Sequence, residues 1–304
     1  MVCAVLRYGG NQCVNLCGMV NKMIHQARFE LPEMNINLEG DLLVFDKPYQ
    51  CTSFDLVEKV KGYIRQQEAE SRKQKAEKNE GTKEQRSEGI DDRTLSAVEA
   101  ETGWGSKRVP EGRECVSKKQ KKVKVGHAGT LDPLATGVMI ICIGSFTKKI
   151  EQYQNQEKEY TGTFMLGATT PSFDLEKPID ETFSTEHITE EKIYETAKSF
   201  VGEQEQVPPH FSAVKVDGKR AYLFARQGIE PEIKPKKITI STFEITRIAV
   251  PEVDFRIICS KGTYIRSIAR DFGQKLESGA HLTALRRTRV GEHNLAKAIK
   301  VILF

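Results

Sequence analysis

Residues 126–137 read GHAGTLDPLATG, and the apolar run Val138–Ile143 follows at once. Three glycines and a proline within this stretch make it a shaped loop rather than the interior of an element. The apolar run is a strand on which that loop can stand. Asp132 precedes Pro133, a placement that steers its backbone from helical geometry towards an extended, presented conformation. A carboxylate displayed in this way, beside His127 and downstream of Lys118, Lys119, Lys121, Lys122 and Lys124, is a candidate catalytic group. The competing reading is an aspartate that only stabilises a turn, and loop chemistry alone leaves both open. A phosphate-binding P-loop is excluded, because the Gly-Lys-Ser/Thr ending is missing. A metal-free hydrolase built on His127 and Asp132 lacks a serine or cysteine in a recognisable elbow.

Upstream of the loop, Leu42–Phe45 predicts a short strand closed by Asp46-Lys47-Pro48. A helix then starts in TSFDLVEKVKGYIR, where Thr52 and Asp55 have capping-box spacing and Phe54, Val57, Val60 and Ile64 recur at helical intervals. From about 66 to 120 the chain turns to Lys, Glu, Gln and Ser, with few apolar residues beyond Leu95, Val98 and Trp104. So little apolar surface does not offset the entropy of ordering, which predicts a solvated, partly disordered insertion. Residues 1–33 read as a poorly patterned leader, with Met34 a candidate alternative start.

Downstream, Tyr160–Leu166 alternates as a half-buried strand, 189–201 is helical, and Asp217-Gly218 marks a hairpin turn in VKVDGKRAY. Phe255–Cys259 is a further strand ending in a Ser260-Lys261-Gly262 turn. A helix from Thr263 then carries Ile265, Ile268, Ala269, Phe272 and Leu276 on one face. Arg266 falls in the first turn of that helix, where the macrodipole disfavours a cation by a few tenths to about 1 kcal/mol. An anion opposite it would account for the placement; an ordinary exposed arginine is the plainer alternative. Tyr160 has the same two sides, core packing or a ring against which a base stacks beside Gly162. Strands and helices mix without regular βαβ spacing, so the fold class is α+β, a mixed sheet rather than a doubly wound parallel one.

Composition sets outer limits. The 304 residues, 38% hydrophobic and 29% charged with a net charge of +4, suit a globular chain with a real core. No run approaches the roughly 18 apolar residues of a membrane helix, and the N-terminus lacks the pattern of a secretory signal. The seven cysteines are scattered and Cys13/Cys17 has no second close pair, so reduced thiols in a cytoplasmic protein without a structural metal are expected.

Taken together, these segments resemble the TruB-type pseudouridine synthases. GHAGTLDPLATG resembles the family's catalytic motif, and DKPYQCTSFDLV its N-terminal motif. KEYTGTFMLGATTPSFD is similar to the stretch with the active-site tyrosine, and CSKGTYIRSIARDFG to the arginine-bearing motif. QVPPHFSAVKVDGKRAYLFARQG and SGAHLTALRRTRVG also fit, so the resemblance runs in order over roughly 38–293. It implies a central, largely antiparallel sheet flanked by helices, in a catalytic domain over 34–301. It implies catalytic roles for Asp132, Tyr160 and Arg266, with Arg266 paired to Asp132, and substrate contacts from Lys47, His127, Tyr264 and Leu285. The reaction it implies is isomerisation of uridine 55 in the T-arm of tRNA, without cofactor or metal, by a protein acting as a monomer. Lys148, Lys149, Lys215, Lys219, Arg220, Arg286, Arg287 and Arg289 would position phosphates without reading sequence.

Two departures qualify the resemblance. The N-terminal motif usually has glycine where this chain has Gln50, so that turn is expected to differ. Only about a dozen residues follow Gly291, too few for the C-terminal PUA domain of many relatives, so RNA affinity is expected from the catalytic domain. A guide-RNA-directed subunit and an RNA-folding chaperone of the same fold are the rival readings.

Overall fold

The computed structural model describes residues 29–87, 122–216, 218–225, 227–229 and 231–303. In chain order its main elements are β1 (Gly40–Lys47), α1 (Ser53–Ser87), β2 (Val125–His127), β3 (Thr136–Gly144), β4 (Lys158–Leu166), α2 (Glu190–Ser199) and β5 (Gly202–Gln206). They continue with β6 (Lys236–Ala249), β7 (Glu252–Cys259), α3 (Ile265–Lys275), β8 (Ala280–Val290), β9 (His293–Asn294) and β10 (Ile299–Lys300). The ten strands make one sheet in the order β10-β1-β3-β8-β4-β7-β6-β5, with β2 added to β3 and β9 to β8. The β3–β8 and β1–β10 pairs are parallel, and the other pairs among the described residues are antiparallel. The expected mixed, largely antiparallel sheet is therefore present.

Three apolar clusters hold it together. On one face of β4, β7 and β6, a phenylalanine core gathers beneath α2 and α3. Phe164 and Phe255 stack there at 4.2 Å between centroids, with Phe272 of α3 5.2 Å from Phe164. The residues expected on the inner face of α3, from Ile265 to Leu276, are all buried in this cluster. The apolar run of β3 is buried on both sides. Met139, Ile141 and Ile143 meet β1 and α1, while Val138, Ile140 and Cys142 meet Val290 and Ala128. That is why the run shows no alternation.

Helix α1 begins as its sequence dictates. Thr52 N–H donates to Asp55 Oδ2 and Asp55 N–H to Thr52 Oγ1, each at 3.0 Å, a reciprocal capping box. Leu56, Val57, Val60 and Ile64 form its buried face, whereas Phe54 is 66% exposed and does not belong to it. The helix continues to Ser87, so 66–87 is helical rather than irregular. Glu/Lys/Arg/Gln-rich sequence is good helix-forming material, and a nucleated helix extends at small further cost. The basic residues Lys118, Lys119 and Lys121, the rest of the insertion to 120, and Asp217 of the hairpin turn lie outside the described residues. The hairpin itself is present, with Lys215–Val216 paired to Lys219–Arg220.

On the N-terminal side, residues ahead of the leader boundary at 33 belong to the described fold. Phe29–Glu30 pairs with Ile302–Leu303, and Phe29 is buried against α1. Residues 1–28 lie outside the described part. Gln50 occupies the turn before α1 with φ 59°, a left-handed conformation that a non-glycine residue strains to adopt. Gln50→Gly is therefore expected to leave the fold intact and raise its stability by up to about 1 kcal/mol, read from denaturant midpoints, because relief of αL strain outweighs the extra chain entropy of glycine. Phe29→Ala should instead cost about 3 kcal/mol by the same measurement. An unchanged midpoint would place Phe29 outside the core.

Candidate active site

The strand β3 receives the GHAGTLDPLATG loop, and hydrogen bonding decides which part of Asp132 is left free. The Ala135 N–H donates to the main-chain carbonyl of Asp132 at 3.1 Å, closing a turn with Pro133 at its second position. The backbone of Asp132 thus makes the turn, and its carboxylate stays available. The two readings of this residue are both true, of different atoms.

Arg266 meets that carboxylate from the first turn of α3. Its Nε lies 2.9 Å from Asp132 Oδ2 and 3.7 Å from Asp174 Oδ2, an ion pair set by distance rather than by good N–H alignment. Its Nη1 and Nη2 donate to the carbonyls of Ser172 and Phe211 at 3.3 and 3.0 Å. The side chains of Arg266 and Asp174 are 6% and 9% exposed, whereas that of Asp132 is 38% exposed. Burial works against the guanidinium charge, and the carboxylates of Asp132 and Asp174 more than offset it, so its pKa is held above the ordinary value. The anion demanded by the helix position of Arg266 is therefore present twice: one carboxylate buried, the other open to the cleft.

That cleft, about 730 Å³, is lined by Asp132, Tyr160, Tyr264, Arg266, Leu285 and Arg287, among others. Strand registry brings several of them together: on β8, Leu285 lies opposite Gly162 and Arg287 opposite Tyr160. A side chain at Gly162 would strike the Ala284 carbonyl at 2.3 Å and the Phe255 ring at 2.8 Å, so the strand needs glycine there for packing rather than for space over the tyrosine. Burial, moderated by Arg287, pushes the Tyr160 phenol above its ordinary pKa and keeps it protonated. Burial raises that of Tyr264 as well. The main chain of Tyr264 is fixed by Gln206, which accepts from its N–H at 2.8 Å and donates to its carbonyl at 3.1 Å.

Two expected substrate contacts stand elsewhere. Lys47 is fully buried, and its ammonium donates to the carbonyls of Pro48, Cys51 and Pro133 at 2.9, 2.6 and 3.3 Å. Burial pushes it down to about 8. With those donors engaged it holds the loop from beneath and does not line the cleft. His127 sits on β2, also outside the cleft lining, and burial lowers its pKa. The phosphate-positioning set shrinks too. Arg286 pairs with Asp46, Arg289 with Glu157 and Glu159, and Arg287 is buried. Lys148, Lys149, Lys215, Lys219 and Arg220 are exposed, and Lys236, Lys237 and Lys261 add exposed charge at the cleft.

Sequence reasoning missed three supporting residues. Asp174 closes the motif KEYTGTFMLGATTPSFD, and no spacing rule ties it to Arg266. Ser53 accepts from the Leu131 N–H at 2.8 Å and donates to its carbonyl at 3.0 Å, clamping the residue beside Asp132 to the start of α1. Arg287 was read from the sequence only as a phosphate contact, and its supporting place was missed: on the strand it shares the face of Leu285, opposite Arg286.

Fold and site together define a pseudouridine synthase. The TruB family pseudouridylate synthase (N terminal domain) model matches residues 116–265. A tRNA pseudouridine synthase B of Flavobacterium johnsoniae is 62% identical over 184 residues, 60% of this chain and 80% of the relative. That of Phocaeicola vulgatus is 46% identical over 266 residues, covering 88% and 92%. This chain belongs to the TruB family. Among solved structures, a Cbf5-Nop10-Gar1 complex matches with a TM-score of 0.52 at 21% identity, over 90% of this chain and 61% of that one, a likeness of fold.

The geometry separates stability from chemistry at Arg266. Arg266→Met leaves Asp174 buried and uncompensated, and is expected to cost about 3 kcal/mol. Adding Asp174→Asn should return much of that stability without restoring turnover, since Asp132 still lacks its cation. Recovery of both in the double variant would show that Arg266 serves folding alone.

Proposed function

We propose that this chain is a tRNA pseudouridine synthase that converts uridine 55 of the T-loop to pseudouridine. The observation that carries the reading is the Asp132 carboxylate, open to the cleft and held by Arg266 while its main chain makes the turn. The relatives named tRNA pseudouridine synthase B support the RNA class. In the reaction the N1–C1′ bond breaks, the base turns, and C1′ joins C5. The C5 proton leaves and N1 ends protonated, so substrate and product are isomers and no electrons are exchanged.

An ionised carboxylate beside the sugar serves each route open to this chemistry: attack at C1′, attack on the base, or removal of a sugar proton. Arg266 fixes its direction and excludes other orientations. Tyr160 offers a ring face to the base and a protonated phenol near C5, where a proton must move. Leu285 and Tyr264 supply apolar wall to a base taken out of its stack, an extrusion that costs a few kcal/mol. His127 is assigned to holding the opened T-loop, and the exposed lysines at the cleft to phosphates.

The test is tritium release from C5-labelled T-arm RNA by the purified chain and by Asp132→Asn. Release by wild type alone is expected. No release by wild type while RNA still binds would favour a guide-directed subunit or an RNA-folding chaperone, and release by both would mean that another carboxylate does the chemistry.

A further inference from the structure

The edge of β3 away from β1 changes partner along its length, and Arg287 stands at the change. β2 pairs with it at Ile141–Ile143, and β8 pairs with it at Thr136 and Gly137. Between them the Ile140 carbonyl accepts from Ala128 N–H at 2.9 Å, and the Val138 carbonyl accepts from Arg287 Nε at 2.7 Å. The same guanidinium donates from Nη2 to the Gly129 carbonyl at 3.2 Å and from Nη1 to that of Thr130 at 3.4 Å. Both carbonyls belong to the loop that presents Asp132. Across the strand pair Arg287 stands opposite Tyr160, and both line the cleft.

Arg287 is 1% exposed, and among the described residues no carboxylate forms an ion pair with it. A buried cation without a counter-ion is costly. What it gains is a rigid fork that reaches three carbonyls at once, a geometry an ammonium does not reproduce. We propose that Arg287 is a positioning residue for catalysis: by tying the Gly129 and Thr130 carbonyls to the edge of β3, it sets Asp132 at its working distance from Tyr160. Its work is done inside the protein, on the loop, and not on phosphate.

The inference rests on the cleft being the isomerisation site, so the wild-type rate is measured alongside. Single-turnover tritium release from T-arm RNA is followed at rising enzyme concentration for wild type, Arg287→Lys and Arg287→Ala, with melting curves for each. If the wild type releases nothing, the functional reading fails and takes the inference with it. With an active wild type, the saturating rate of Arg287→Lys is expected to fall about 100-fold, the scale of a 1 Å misplacement. Its half-saturating concentration should stay within about twofold of wild type, and free guanidinium should raise the Arg287→Ala rate where potassium at equal ionic strength does not. A raised half-saturation with an unchanged saturating rate would make Arg287 a phosphate contact. A rate that only tracks the folded fraction, with no response to guanidinium, would make it structural. Either result, or unchanged rates in both variants, overturns the proposal.

Discussion

Arg266 against Asp132 is the contact on which the rest of the site depends. A guanidinium at the start of a helix is disfavoured by the macrodipole, and burial makes the charge more costly still. Asp174, itself buried, supplies compensation that water no longer provides, and the Ser172 and Phe211 carbonyls accept one donor each from Nη1 and Nη2. Because Asp174 stabilises the cation, Asp132 need not be buried to do so. It holds the outer side of the pair while keeping its other oxygen for the cleft. A single carboxylate would have to choose between anchoring the arginine and meeting a substrate.

The loop bearing Asp132 is held in a way that spares its functional group. Ser53 fixes Leu131 through both backbone atoms, Lys47 reaches the Pro133 carbonyl, and Arg287 takes those of Gly129 and Thr130. Each of these anchors acts on main chain. Buried backbone groups need partners in any case, so here the obligation to satisfy them also fixes the loop. A mobile loop would have to order on binding RNA, at a cost of about 1–2 kcal/mol per residue.

The division between what could and could not be read from sequence follows from the range of each interaction. The capping box at Thr52 and Asp55, the inner face of α3, the double-sided burial of Val138–Ile143 and the Arg266–Asp132 pair lay in local spacing or in motif resemblance. The parts that Lys47 and Arg287 play as anchors of backbone carbonyls did not, because a cation that reaches carbonyls 86 and more than 140 residues away looks in sequence like any surface charge. The continuation of α1 to Ser87 was misjudged for another reason. Low apolar content argues against a packed core but not against a helix, because a helix extends from packed first turns through good helix formers without an apolar face of its own. At Gln50 the backbone takes a left-handed φ of 59°, a conformation that strains a residue other than glycine.

The groups proposed to act in catalysis also come from both sides of a narrow seam. Tyr160 and Arg266 belong to the half built on β4, β7 and α3, while Asp132 belongs to the half built on β1 and β3. The halves join through a β3–β8 pairing registered at only two positions, Arg286 with Thr136 and Arg287 with Gly137. At that seam the backbones approach so closely that a side chain on Gly137, which has φ +105°, would lie 2.2 Å from the Arg287 carbonyl. Glycine is therefore required by contact as well as by conformation. A longer pairing towards the C-terminal end of β3 would displace β2 from that edge. A shorter one would have left the two halves of the site without a common reference. The final glycine of GHAGTLDPLATG and the arginine opposite it thus fix, in one contact, the register between the two halves.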